Sequence, residues 1–140
     1  MLVDCIWAFA EIKFVPSFLF LIKFYAEFQR AARVMASQEI ETVLVSIAKL
    51  NVKPEGRDFF LSFVRAFRDH LTSWQSSQLT NIIHALAVMK AEPGRAFLSN
   101  WYDRFDMRHF EFSAYQLTIV LWSVATLESI PSANFLKKWA

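Results

Sequence analysis

The chain has 140 residues, a length typical of one domain, and 55% of them are hydrophobic, which excludes an intrinsically disordered protein. The formal net charge is only +2, and two glycines and four prolines are too few for an all-β fold with many turns. A single cysteine, Cys5, excludes an internal disulfide framework and a metal site built from cysteines alone. The longest uncharged segments, 70–89 and 112–127, contain several polar side chains, so we expect no membrane span.

The four prolines mark a repeat of about 38 residues. The intervals between them are 38, 39 and 38 residues, and an alanine precedes each proline by six positions. The repeat positions are Pro16, Pro54, Pro93 and Pro131 with Ala10, Ala48, Ala87 and Ala125. A fixed period of this length is typical of repeat arrays built from small helical units. A small side chain at a fixed position lets two helices approach closely where they cross.

Each repeat is predicted to be a pair of helices separated by its proline. Before each proline, apolar residues recur at steps of three and four, and after it aromatic residues such as Phe20, Phe24 and Phe28 recur at steps of four. Proline disfavours helix at the preceding residue and suits the start of a new one. The pre-proline helices are predicted at 2–13, 37–51, 76–90 and 113–128, with N-caps at Ser113 and at Ser76 or Ser77. The post-proline helices are predicted at 17–34, 56–71, 94–108 and 132–140.

The predicted fold is therefore all-α, a right-handed α-solenoid of about four two-helix repeats. We expect one array over 1–140, with units that break at about 1–36, 37–75, 76–112 and 113–140. Such an array leaves apolar faces at its two ends unless another chain covers them.

The pre-proline segments LVDCIWAFA (2–10), QLTNIIHALA (78–87) and QLTIVLWSVA (116–125) resemble the helix motif of the octatricopeptide repeat family. The motif tryptophan stands at Trp7 and Trp122, and Val45 and His84 replace it in the two middle repeats. The resemblance covers essentially the whole chain. It implies stacked helical hairpins that bind single-stranded RNA at about one nucleotide per repeat, in a mitochondrion or chloroplast. It also implies a non-catalytic role in RNA stability, processing or translation, without a cofactor.

The charges of the chain are unevenly divided between the two kinds of helix. The predicted post-proline helices carry eleven basic and five acidic residues, a net charge of +6, and the remainder carries four basic and eight acidic residues, a net charge of −4. A basic layer along a repeat array is the electrostatic pattern expected for contact with a phosphate backbone. The alternative is that arginines near helix C-termini, such as Arg33, Arg68 and Arg108, only complement the helix dipole.

One row of polar residues on the post-proline helices is a candidate for base recognition. It consists of Lys23, Ser62, Asn100 and Lys138, and Arg30, Arg65 and Arg104 lie near it for phosphate contact. The full set of predicted RNA-binding residues is Lys23, Arg30, Arg33, Ser62, Arg65, Arg68, Asn100, Arg104, Arg108, Lys137 and Lys138. The alternatives are a purely solvated helix face and a second row on the pre-proline helices, Asp4, Thr42, Asn81 and Ile119.

No enzyme motif is present in the sequence. The three histidines share no metal-ligand spacing with Cys5 or a carboxylate pair, and two glycines cannot form a phosphate-binding loop. His84 stands in a tryptophan or valine position, which favours a packing role, and Tyr25 and Tyr102 are expected in the core beside the aromatic ladder. The expected partners are single-stranded RNA or ribosomal RNA, with ribosomal or other organellar proteins at the array ends. The alternative function is a structural subunit of an organellar ribosome or another assembly, without sequence readout. A third option is a self-assembling protein scaffold without RNA, because the array ends would expose apolar faces.

Overall fold

The structure, a computed structural model, describes residues 2–127 of the chain. This part forms seven α-helices and no strand, which confirms the predicted all-α class. The helices are α1 (Leu2–Glu11), α2 (Phe18–Ala31), α3 (Ser37–Leu50), α4 (Asp58–Asp69), α5 (Ser76–Val88), α6 (Arg95–Arg108) and α7 (Ala114–Thr126). Single 3₁₀ turns follow three of them, at Ala32–Val34, Leu71–Ser73 and His109–Glu111.

The helix positions agree with the hydrophobic periodicity. The pre-proline helices are α1, α3, α5 and α7, and the post-proline helices are α2, α4 and α6. Pro16, Pro54 and Pro93 lie in the connections between them, ahead of the post-proline helices rather than inside their first turns. The post-proline helix predicted at 132–140, with Pro131, lies outside the described residues.

The pre-proline helices α1, α3 and α5 end in the same turn, three residues before each proline. There, Lys13, Asn51 and Lys90 adopt left-handed backbone conformations, with φ of 57°, 56° and 53°. The backbone N–H of each left-handed residue donates to the carbonyl of the repeated alanine, three positions earlier. The N–H of the following residue donates to the carbonyl that lies five positions before it. These bonds run from residues 13 to 10 and 14 to 9, 51 to 48 and 52 to 47, and 90 to 87 and 91 to 86. This is the Schellman pattern of helix termination, and none of the three left-handed residues is glycine.

The start of α7 is capped as predicted. The Ser113 hydroxyl accepts from the N–H of Gln116 at 3.1 Å, and the Gln116 side chain accepts from the N–H of Ser113 at 2.9 Å, a reciprocal capping box. The N-cap predicted at Ser76 or Ser77 is wrong. The N-cap of α5 is Gln75, whose N–H donates 3.0 Å to the side chain three residues further on.

The chain divides into two compact units, Met1–His70 and Leu71–Ala140. In unit 1, the pre-proline helices α1 and α3 pack against each other, and so do the post-proline helices α2 and α4. Its core is aromatic, with Phe28 stacked on Phe59 at 4.5 Å between ring centroids. The aromatic ladder of α4, at Phe59, Phe63 and Phe67, is fully buried.

In unit 2, the pre-proline helices α5 and α7 pack against each other and α6 contacts α5. The Trp101 ring stacks on Phe105 at 5.4 Å, and its indole N–H donates 3.1 Å to the carbonyl of Leu79. The repeated alanine is buried at Ala87 but exposed at Ala125, near the end of the described part of α7. No helix within residues 2–127 is long and apolar enough to cross a bilayer.

Candidate nucleic-acid interface

The post-proline helices of unit 1 carry five of the predicted RNA-binding cations on the protein surface. Lys23 and Arg30 are seven residues apart on α2, and because seven residues make about two helical turns they share one side of that helix. Arg65 and Arg68, three residues apart, are neighbours on the surface of α4, and Arg33 lies in the 3₁₀ turn after α2. The packing of α2 against α4 brings the two helices that carry these cations together in unit 1. We call these cations the unit 1 basic face.

The cations of this face differ in their ion pairs and hydrogen bonds with other side chains. The Arg30 guanidinium lies 3.4 Å from a carboxylate oxygen of Glu27, and the two side chains are 78% and 50% exposed. Such an exposed pair is worth about 0–1 kcal/mol, so a phosphate could replace the carboxylate at little cost. Within residues 2–127, Arg65 and Arg68 make no ion pair or side-chain hydrogen bond. These two guanidinium groups therefore keep their donors for an external anion.

The predicted base-reading row is only partly accessible. Lys23, Ser62 and Asn100 each lie three residues after a ladder phenylalanine, so they occupy equivalent positions on α2, α4 and α6. Lys23 is exposed, whereas Ser62 and Asn100 are half-buried. The fourth member, Lys138, and the neighbouring Lys137 lie outside the described residues.

Arg104 has a structural position in unit 2. Only 5% of the residue is exposed, and its guanidinium donates 2.9 Å to the carbonyl of Trp74 and 2.6 Å to the carbonyl of Thr72. These two hydrogen bonds connect helix α6 with the segment that precedes α5. Burial is the main cause that lowers the pKa of Arg104, followed by the charge of Arg108 and opposed by Glu111. Arg104 was predicted to contact phosphates, but its guanidinium is turned inward, where the two backbone carbonyls accept its hydrogen bonds.

A helical register could have located Arg104 from the sequence. It lies seven residues after Phe97, which is fully buried, and two helical turns bring a side chain back to the same face. The equivalent position on α4 is Ala66, which is also buried. Arg108 is half-buried, and its Nη1 donates to both carboxylate oxygens of Glu111 at 2.7 and 2.8 Å, so this charge is already paired within the chain.

Both tyrosines of the post-proline helices belong to the interior, as expected. The Tyr25 ring packs edge-on against Phe59 at 5.4 Å, and its hydroxyl donates 2.5 Å to the carbonyl of Val52. Burial raises the pKa of Tyr25 to about 12. Tyr102 is 8% exposed and lies beside the Trp101 ring at 5.6 Å. Neither ring is placed to stack on a base.

The pre-proline helices expose aromatic side chains that the sequence analysis did not single out as a surface. Trp7 in unit 1 and Trp122 in unit 2 are each 51% exposed. His84 is exposed as well, and its ring contacts the Trp122 ring at 5.7 Å between centroids, so it packs on the surface rather than in the core. The signal in the sequence was the shared register, since these residues stand at the same repeat position.

The second candidate row also follows the pre-proline helices. Asp4 and Asn81 are exposed, whereas Thr42 is half-buried and donates its hydroxyl 2.9 Å to the carbonyl of Gln38, and Ile119 is half-buried. In unit 1, a groove between α1 and α3 is lined by Asp4, Trp7, Glu39 and Thr42, among others. Two carboxylates make this groove a poor host for phosphate, which favours the post-proline helices as the nucleic-acid surface.

Within residues 2–127, no cluster of histidine, cysteine or acidic side chains is arranged to hold a metal ion. Neither a protein-family model nor a curated protein sequence matches this chain. The candidate interface therefore depends on the residues and their geometry.

Proposed function

We propose that the chain is an organellar RNA-binding protein whose post-proline helices contact single-stranded RNA. The observation that carries this proposal is the unit 1 basic face, where two adjacent helices expose cations and leave Arg65 and Arg68 unpaired within residues 2–127. Guanidinium groups with free donors bind phosphate oxygens in bidentate fashion. Arg104 is not among the proposed contacts, because backbone carbonyls already occupy its guanidinium.

The proposed scaffold is a right-handed α-solenoid of about four repeats. It is supported by the three equivalent left-handed turns at Lys13, Asn51 and Lys90 and by the side-by-side packing of pre-proline helices within each unit. A solenoid repeats its surface along one direction, so equivalent side chains would follow an extended strand of RNA. The proposed roles are RNA stability, processing or translation in a mitochondrion or chloroplast.

Filter binding of short RNA oligonucleotides at several salt concentrations tests this function. Paired substitution of Arg65→Glu and Arg68→Glu should weaken binding to all sequences alike and reduce the salt slope by about one per lost phosphate contact. The matched control, Lys53→Glu with Lys90→Glu, makes the same charge change outside the post-proline helices and should weaken binding much less. Binding that is absent, or that the two pairs weaken equally, would contradict the proposed surface.

A second experiment distinguishes the two helix layers. If RNA bases stack on the exposed aromatic side chains instead, Trp122→Ala should cost about 1–3 kcal/mol of binding free energy. The post-proline surface predicts no such loss, because Trp122 lies on α7. Exchange of Ser62 and Asn100 should alter the preference between RNA sequences, since each can hydrogen-bond a base edge.

The alternative proposal is a structural subunit of an organellar ribosome or another assembly, and the exposed apolar side chains of the first hairpin favour it. Ile12 and Phe14 are 70% and 58% exposed, whereas the equivalent Leu50, Met89 and Ala91 are buried and Val52 is half-buried. A subunit of that kind would bind protein or ribosomal RNA without distinguishing sequences, so the Ser62 and Asn100 exchange would leave its binding unchanged.

A further inference from the structure

The first hairpin carries an apolar patch at its turn, which we define as Val15, Phe18, Leu19 and Ile22. These residues are 54%, 67%, 71% and 46% exposed. Phe18 and Ile22 are four residues apart, and Leu19 adjoins them on the first turn and a half of α2, so they form one continuous surface. Monomeric proteins rarely leave so many large apolar side chains together in water, so the patch indicates an interaction surface.

Repeat stacking does not explain the patch. The equivalent positions in the second and third hairpins are also exposed, so they are solvent positions of the repeat. Six of those eight side chains are charged or polar; the eight are Lys53, Arg57, Asp58, Leu61, Glu92, Arg95, Ala96 and Ser99. At the positions of Val15 and Phe18, the second and third hairpins carry only charged residues, and at the position of Leu19 they carry aspartate and alanine. The position of Ile22 holds leucine and serine, so only the first hairpin has large apolar side chains at all four positions.

Ile12 and Phe14 belong to a different category. Their equivalents in the other hairpins are more enclosed, so another hairpin stacked on α1 would cover such positions; Leu50, Met89 and Ala91 are buried and Val52 is half-buried. The patch would remain exposed after that stacking, which separates it from an uncovered array end. Its occupant must therefore be something other than a further repeat.

The charged residues beside the patch indicate what kind of partner would bind there. Over residues 12–23, the only charged side chains are Lys13 and Lys23, and both are exposed. The patch is thus apolar and flanked by cations. The Glu11 carboxylate precedes this segment and lines a groove with Lys13 and Val15, and it lies 3.3 Å from the ammonium group of Lys49. We propose that this hairpin turn is a peripheral membrane anchor, which inserts its apolar side chains into the surface of an anionic lipid bilayer.

The geometry of the patch suits a bilayer. Phe18 and Leu19 are about two-thirds exposed, so they project from the surface instead of lining a groove that would fit a complementary protein knob. Apolar side chains of this kind enter the boundary between headgroups and acyl chains, and lysines at the edge keep their ammonium groups among the lipid phosphates. Beyond Lys23, the exposed residues of α2 include Glu27, Gln29 and Arg30, so the apolar surface ends after the first part of the helix.

Vesicle co-sedimentation tests the proposal with the full chain. The protein should sediment with vesicles of phosphatidylcholine and phosphatidylserine, and more weakly with phosphatidylcholine alone. Paired substitution of Phe18→Ser and Leu19→Ser should lower vesicle affinity by about tenfold or more, because two apolar side chains no longer leave water. Substitution of Lys13→Gln or Lys23→Gln should lower it by about fivefold each on anionic vesicles.

The serine pair distinguishes the patch from the basic face. It leaves the net charge unchanged, so vesicle binding through arginines alone would survive it, and that result would overturn the proposal. The matched control is Phe110→Ser, since Phe110 is 74% exposed in unit 2 and should not matter for vesicles. RNA binding of the serine pair should equal that of the parent, so failure of the RNA proposal and failure of this one are separable.

Two further outcomes would overturn the proposal. One is a parent protein that does not sediment with anionic vesicles under conditions where circular dichroism shows the native helical content. The other is a parent protein that self-associates with rising concentration in analytical ultracentrifugation but does not bind vesicles. If the serine pair abolished that self-association, the patch would join two copies of the chain.

Discussion

Replacement of Arg104 by methionine should destabilise unit 2 without any direct effect on RNA. The substitution removes two charge-assisted hydrogen bonds to the carbonyls of Trp74 and Thr72, and methionine keeps most of the apolar stem. Each such bond is worth about 1.5–3 kcal/mol, and part of that is offset because the arginine no longer has to be desolvated. We therefore expect a loss of about 2–4 kcal/mol in the free energy of unfolding.

The assay combines urea denaturation with filter binding. Unfolding is followed by circular dichroism and by the fluorescence of tryptophan, since Trp74 and Trp101 are fully buried in unit 2. The matched control is Arg65→Met on the surface of α4, which should change the free energy of unfolding by less than about 0.5 kcal/mol. Where both variants are folded, Arg65→Met should weaken RNA binding and Arg104→Met should not.

Two results would refute this reasoning. If Arg104→Met were as stable as the parent, the two hydrogen bonds would contribute nothing and the side chain would be exchangeable. If it weakened RNA binding while stability was unchanged, Arg104 would contact the phosphate backbone as the sequence analysis expected. Arg104→Lys adds a check, because one ammonium group cannot reproduce the fork that reaches both carbonyls and should recover only part of the stability.

Three further predictions concern the repeat itself. Ala87→Leu should overpack the interior of unit 2 and lower the free energy of unfolding in urea by about 1–3 kcal/mol. The control Ala125→Leu, at the exposed equivalent position, should lower it by less than about 0.5 kcal/mol. Equal losses would contradict a packing role for this alanine. Lys13→Gly should stabilise the chain by up to about 1 kcal/mol, because glycine relieves the left-handed strain, and a melting temperature below that of the parent would count against it. Burial raises the pKa of Tyr25 to about 12, so the stability that the neutral phenol contributes is fully present below pH 10 and is lost as pH rises toward 12. Tyr25→Phe should remove that part of the alkaline decline in chemical denaturation, and an identical decline in both proteins would argue against the burial of the phenol.

The secondary structure was predictable because its signals are local. Steps of three and four between apolar residues located all seven described helices, and the prolines located the connections within each hairpin. The left-handed turns were not predicted, since Lys13 and Lys90 are residues that seldom adopt this conformation. The N-cap of α7 was predictable because Ser113 lies three residues before Gln116, the spacing of a capping box. The predicted N-cap of α5 was wrong because glutamine, an unusual N-cap residue, occupies that position at Gln75.

The candidate site was predictable only in part. Charge counts assigned the cations to the post-proline helices, and the structure places Lys23, Arg30, Arg33, Arg65 and Arg68 on the surface. Charge alone does not say whether an arginine faces solvent. The guanidinium of Arg104 binds carbonyls that lie 30 and 32 positions earlier in the chain, and no local pattern contains those partners.

By itself, the sequence determined the helical period, the positions of the described helices and the difference in charge between the two kinds of helix, because each depends on spacing along the chain. The tertiary structure decided which polar groups form hydrogen bonds inside the protein and which apolar side chains remain exposed to solvent. Arg104 and Tyr25 are occupied by distant backbone carbonyls, whereas Phe18 and Leu19 remain in water. A helical register gives the direction of a side chain, but only the neighbouring elements determine whether that direction ends in protein or in solvent.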